Sequence, residues 1–182
     1  EAALLRLQER VITGIDLGES HFREFKTALE RPRGEGSRPR DVRGICRDIA
    51  VVLVAFPNAD GGEMLVGVED NGEITGVPHS ESELAAFQGA YRTHVHSGTP
   101  LPQPAVSLLA SGEQRILYFR VAKSTVRVHL TAEGPCLRRF DRENRPVPAE
   151  QIQYARREVE SREYDREVVP GALVNDLDLH VL

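Results

Sequence analysis

The sequence predicts an α+β domain: a mixed sheet packed on one central apolar helix, in a single lobe. Three observations predict it. Val42, Ile45, Cys46, Ile49, Val52, Leu53 and Phe56 recur at helical spacing in a mostly apolar stretch, which marks a core helix. Glu63 to Val68 (EMLVGV) is a nearly continuous apolar run, which suits a central strand. Helical and strand patterns follow in a mixed order, not a regular alternation, which favours α+β over a doubly wound sheet. With 182 residues, 40% of them apolar, the chain suits one domain with a substantial core and is not disordered by composition.

Each element can be justified in turn. Leu4, Leu5, Leu7 and Val11 give Ala2 to Val11 an amphipathic helical pattern. Phe22, Phe25 and Leu29 suit a strand from about His21, with Phe22 and Glu24 on one face and Arg23 and Phe25 on the other. Glu30 to Arg40 (ERPRGEGSRPR), with Pro, Gly, Ser and four arginines, reads as a mobile basic loop. Asp41 is placed to cap the core helix and Pro57 to end it. Gly67 weakens the Glu63–Val68 strand and permits close backbone approach, and Asp70-Asn71-Gly72 is a hairpin-turn signal. Ser80 or Ser82 caps a helix to about Val95, with Leu84, Phe87 and Tyr91 on its apolar face. Strands are expected at Ala105 to Leu109, Ile116 to Val121, Val126 to Leu130 and Cys136 to Phe140. Pro148 opens a helix to about Glu158, and the remainder to Leu182 has no clear period.

Several classes are excluded. No run of roughly 18 apolar residues exists, so no membrane-spanning helix is expected. The chain opens at Glu1 without a signal-peptide pattern, so targeting is unreadable. Cys46 and Cys136 make neither a disulfide framework nor a structural zinc site, which points to a reducing, cytoplasmic setting. There is no G-x-x-x-x-G-K-[ST], so a P-loop is excluded.

The net charge is -5, but it is unevenly spread. Lys26 to Arg47 and Arg115 to Arg145 are basic, and the C-terminal end is acidic. This pattern suits one basic face for a polyanion, or an ordinary solvated surface.

Glu19, Glu24 and Asp70 would converge if the Phe22 strand paired beside the Met64 strand. Carboxylates brought close together repel, and a divalent cation relieves that repulsion while gaining hard oxygen ligands. Lys26 follows Glu24 by two residues, on the same face, where it could stabilise charge on a phosphorus centre. Spacing alone favours solvated surface charge.

A longer pattern narrows the choice. Glu19-Ser20-x-x-x-Glu24-Phe25-Lys26, then Ala55-Phe56-x-Asn58-x-x-Gly61-Gly62, then Gly67-Val68-x-Asp70-x-Gly72-x-Ile74-x-Gly76, resembles the Schlafen AlbA-type domain over roughly Glu19 to Ala155. The resemblance implies a mixed α+β fold and a nucleic-acid-binding role, described for many members as DNA binding. In nuclease-active Schlafens a Glu, Glu and Asp triad cuts structured RNA, tRNA above all, with a divalent metal. By motif those positions are Glu19, Glu24 and Asp70, so the expectation is a Mg²⁺- or Mn²⁺-dependent endonuclease with Lys26 stabilising charge. Arg38, Arg40, Arg43, Arg47, Arg138 and Arg139 are expected to grip the RNA or DNA backbone. Pro57 and Ala59 depart from the family's usual residues and should alter the turn, not the triad.

The expected organisation is an N-terminal helix at 1–18, the family domain at 19–160 and a linker or docking tail at 161–182, with a further domain beyond it. The animal nucleases resemble two fused lobes, so a homodimer is expected here, through the surface around Leu84 and Phe87 or the Val168–Leu182 tail. The rival readings are a non-catalytic nucleic-acid-binding module and an interaction module for a missing domain. Four smaller signals are weaker. His94-x-His96 suits a solvated helix end more than a metal site. Asn58 with Gly61-Gly62 could cradle a phosphate but better suits a tight turn. Arg138 and Arg139, adjacent on a strand, point to opposite faces. Ser20-His21 has no acid evidently placed to orient the histidine.

Overall fold

The computed structural model describes residues 2–30 and 36–164, with side chains through 158. Four helices and eight strands follow in chain order: α1 (Ala2–Leu17), β1 (Arg23–Lys26), β2 (Leu29–Glu30), β3 (Arg38–Pro39), α2 (Val42–Ala55), β4 (Gly61–Val66), α3 (Glu81–Thr93), β5 (Ala105–Ser111), β6 (Gln114–Ala122), β7 (Leu137–Phe140), β8 (Glu143–Pro146) and α4 (Ala149–Tyr164). This is the expected α+β class.

The main sheet has the order β1-β4-β6-β5. β1 runs parallel to β4, and β4–β6 and β6–β5 are antiparallel. Each face is covered. On one face Ile45, Ile49 and Leu53 of α2, its C-cap Phe56, and Leu84 and Phe87 of α3 pack on Met64, Val66, Leu117 and Phe119. On the other, Val11 and Ile15 of α1 pack on Phe25, Leu65, Ile116 and Tyr118. The period of two along β4 thus sends alternate residues to opposite helical layers. Burial of each such large side chain contributes roughly 1.5–3 kcal/mol, which makes these two layers the main source of stability.

Local chemistry sets the helix ends. The Asp41 carboxylate accepts the Gly44 N–H at 2.9 Å, the expected cap of α2. Ser80 and Glu83 form a reciprocal capping box at α3. α1 and α4 are longer than the periodicity predicts, reaching Leu17 and Tyr164. No helix among the described residues is long and apolar enough to cross a membrane.

Three expectations are corrected. Val126–Leu130 forms no strand, only a bridge from Leu130 to Cys136, because side chains take its backbone groups. The His129 N–H donates to Asn58 Oδ1 at 2.8 Å, and the Leu130 N–H to Thr99 Oγ1 at 3.1 Å. β8 was not expected, since Glu-Asn-Arg-Pro is poor strand material. Asp141, in the left-handed region at φ 50°, turns the chain back so that Arg138 lies across from Arg145. Leu84 and Phe87 are 2% and 0% exposed, so they cannot be a dimer surface. The Val168–Leu182 tail and the loop around Arg33 lie outside the described residues.

Candidate nucleic-acid site

Phe25 is fixed under α1, so its neighbours Glu24 and Lys26 emerge on the opposite face of β1. The parallel pairing sets Glu24 beside Met64. Glu24 is only 4% exposed. One carboxylate oxygen takes the Lys26 ammonium and the other faces the Arg139 guanidinium. The Arg139 side chain is 0% exposed. Its Nη2 donates to the Ser20 and Arg23 carbonyls at 2.9 and 3.2 Å, and its Nη1 to Asn144 Oδ1 at 3.2 Å. Its plane lies 5.4 Å from the Phe56 ring centre. Arg139 is therefore withdrawn from nucleic acid. It ties the β7–β8 hairpin to β1, which corrects its expected role as a phosphate grip.

Glu19 stands in the turn before β1, where its Oε1 accepts the Phe25 N–H at 2.9 Å. Burial holds its carboxyl above the usual range. The Phe25 N–H and the Lys26 charge oppose this, and the negative charges of Glu24 and Asp70 add to it. All three carboxylates therefore share one field. Asp70 is exposed at the tip of the turn after β4. That turn is shaped by Gly67 at φ 95°, where a Cβ would lie 2.8 Å from the Gly76 carbonyl carbon. The Gly67 carbonyl accepts the Thr75 and Gly76 N–H groups at 3.1 and 2.9 Å. Glu69 ties the turn to the end of β1 by accepting from Thr27 Oγ1 at 2.8 Å and Thr75 Oγ1 at 2.6 Å.

The donor chemistry, carboxylate oxygens in mutual repulsion, suits a hard divalent cation. Their placement stops short of a finished cage. Among the described residues no three His, Cys, Asp or Glu side chains are gathered as a metal-binding group.

The remaining arginines divide by engagement. Arg43 is exposed. Arg38 and Arg47 are exposed and pair with Glu30 at 2.9 Å and Glu133 at 3.1 Å, weak surface contacts that a phosphate can displace. Arg138 is half-buried, 5.5 Å from the Phe140 ring centre. Arg40 is a strut: it donates to the Thr27 carbonyl at 2.9 Å and to Asp48 at 2.8 Å.

Asn58 is 2% exposed, and its Nδ2 donates to the His129 and Leu137 carbonyls, both at 2.8 Å. It staples the end of α2 to two later segments and cradles no phosphate. Gly62 is obligatory beside it, because a Cβ there would lie 2.6 Å from the Phe56 ring. His94 and His96 are engaged separately, with Thr93 Oγ1 and the Gly98 N–H.

Two constellations were not read from the sequence. His21 does have an acid: its Nε2 lies 2.9 Å from Asp60, which Lys123 also holds at 2.9 Å. The Lys123 hydrogen bond, foremost, draws the Asp60 carboxyl below its usual range. On the α1 face Glu63 is 5% exposed and takes Arg10 Nε at 2.9 Å, Arg23 Nε at 3.0 Å and the Tyr118 hydroxyl at 3.1 Å. Burial first, then Glu63, pushes the Tyr118 phenol up to about 12. The one signal for this network was a lone acid opening an apolar strand; its partners depend on pairing between distant segments.

The sequence model of the Schlafen, AlbA_2 family matches residues 19–148. Among solved structures, the crystal structure of the DIP2311 protein from Corynebacterium diphtheriae is similar, with 20% identity and a TM-score of 0.59. The likeness covers 75% of this chain and 24% of that one, so this chain spans about a quarter of that protein's length, and the likeness speaks to the fold alone. No curated protein matches the chain.

Proposed function

The chain belongs to the Schlafen AlbA_2 family, whose role is nucleic-acid binding, and on that premise we propose that it is a divalent-metal-dependent endonuclease domain acting on structured RNA. The observation that carries this reading is the half-buried Glu19 carboxyl beside β1, raised by partial burial and by the charges of Glu24 and Asp70. Like charges held together are costly without a counter-ion. Glu19, Glu24 and Asp70 are the side chains that would hold Mg²⁺ or Mn²⁺. Such an ion, when bound, activates water and neutralises charge on a phosphoryl group. Lys26 remains beside Glu24, where its ammonium can face a non-bridging phosphate oxygen. Arg38, Arg43, Arg47 and Arg138 supply backbone contacts.

Structured RNA is recognised by shape and by contacts spread along the helix, and one lobe covers one side of it. A homodimer would supply the second wall. Its contact would use the exposed Leu4, Leu5 and Ile12 of α1 and the open edge of β5, not α3.

A specific observation favours a second reading. Glu24 is already neutralised by Lys26 and Arg139, as in a structural ion pair. A non-catalytic RNA- or DNA-binding module would look the same. Two measurements separate them. In the first reading Mn²⁺ raises the melting temperature of the wild type and not of Asp70→Asn, and tRNA is cleaved only with the metal. Nucleic-acid binding with neither effect leaves the second reading.

A further inference from the structure

A cleft of about 500 Å³ opens where α1 meets the starts of β1 and β4 and the end of β6. Arg10, Phe22, Arg23, Asp60, Glu63 and Arg120 line it. Its acids are already matched. Glu63 has Arg10, Arg23 and Tyr118, and Asp60 has Lys123 and His21. Its cations are not used up. Arg10 and Arg23 both hold Glu63 through Nε, and the Arg10 side chain, which also meets Tyr118, remains 51% exposed. Arg120 lies directly across from Glu63 in the β4–β6 pairing and is exposed, and its side chain makes no hydrogen bond or ion pair among the described residues. The cleft is thus a preformed cationic site, held rigid by buried acids.

Phe22 stands at its rim, 55% exposed. Its backbone is fixed: its carbonyl accepts the Glu63 N–H at 2.9 Å and its N–H donates to Ser20 Oγ at 3.2 Å. The His21 ring meets it edge-on with centroids 4.9 Å apart. An exposed aromatic ring beside guanidinium groups is how proteins hold a nucleotide without reading its sequence.

We propose that this cleft binds one unpaired nucleotide, with its phosphate on Arg10 and Arg120 and its base stacked on Phe22. It is built on the opposite face of β1 from Glu24, and gives the domain a preference for duplex RNA that carries a single-stranded overhang. The proposal rests on the nucleic-acid-binding reading. An acidic peptide would satisfy the arginines but would leave Phe22 without a role.

The test compares one blunt RNA duplex with the same duplex bearing a short overhang, on the full chain, by fluorescence anisotropy. The overhang should tighten binding by about tenfold, the scale of one base stacked on an aromatic ring. Arg120→Ala and Phe22→Ala should each remove that gain and leave blunt-duplex affinity unchanged; both side chains are exposed, so both variants should fold. A gain that survives both substitutions overturns the proposal, as does blunt binding with no gain in the wild type. If neither RNA binds, the nucleic-acid reading itself falls and takes this one with it. A direct reporter is available because the chain has no tryptophan. In Phe22→Trp the overhang should quench indole fluorescence. Quenching by poly-glutamate and not by the overhang would reassign the cleft to acidic peptides and overturn the proposal.

Discussion

Glu24→Gln is the natural probe of the acid cluster, and the structure makes it first a probe of the core. The substitution leaves the Arg139 guanidinium, 0% exposed, facing a neutral amide. Lys26 is 30% exposed and can turn to water, so the cost falls on Arg139. Removing one partner of a buried ion pair costs about 3–5 kcal/mol. A domain's whole stability is roughly 5–15 kcal/mol, so a large share is at stake. With a urea slope near 2 kcal/mol/M, the midpoint should fall by about 2 M at unchanged slope. The double variant Glu24→Leu/Arg139→Met removes both charges and should return to within about 1 kcal/mol of wild type, as replaced buried pairs do. Urea unfolding followed by far-ultraviolet circular dichroism measures both. A midpoint shift below about 0.5 M for the single variant would refute the reasoning, because it would mean that water reaches Arg139. Lost cleavage in Glu24→Gln therefore speaks to chemistry only when the folded fraction is measured alongside.

Three further outcomes are expected. The Glu19 carboxyl is raised in the folded state, so its ionised form weakens the fold at neutral pH, and that cost is relieved as the pH falls through the raised value. Glu19→Gln should therefore melt higher than wild type at pH 7, with the advantage fading as the pH falls through the raised value and gone below about pH 4; equal melting at pH 7 sinks the idea. Asn58→Ala strands the buried groups that now bond at 2.8 Å, and should cost about 3 kcal/mol or more and speed proteolysis within 126–130. A loss under about 1 kcal/mol would mean that water replaces the amide. Arg43→Ala with Arg47→Ala should weaken binding to unrelated RNA sequences alike and lower the salt slope by about 2; an unaltered slope assigns these arginines elsewhere.

What was legible in the sequence was whatever is periodic or local. The α2 pattern, its Asp41 cap, the Ser80 cap and the β4 run each carry their own signal within a few residues. The resemblance supplied Glu19, Glu24 and Asp70, and the β1–β4 pairing sets the first two on one strand and its preceding turn. Arg139 was misread because alternation says which two faces adjacent residues take, not which face is buried. β7 lies over β1, and that contact spans more than a hundred residues of sequence. The Val126–Leu130 strand was misread because its composition is β-like, while the groups that claim its backbone, Asn58 and Thr99, are distant. The cleft was invisible for the same reason: Arg10, Arg23, Glu63 and Arg120 become neighbours only once one helix and three strands are in place.

β1 carries opposite charge patterns on its two sides: Glu24 toward Arg139, and Arg23 toward Glu63. A slip of one residue against β4 would exchange these faces. Arg23 would then meet Arg139, and Glu24 would meet Glu63, like charge against like on both sides at once. A strand of four residues, paired in parallel across a long separation in sequence, has few hydrogen bonds with which to choose its register. The two buried ion pairs supply that choice. They act as a lock that accepts one alignment of the chain and rejects its nearest competitors before any ligand is present.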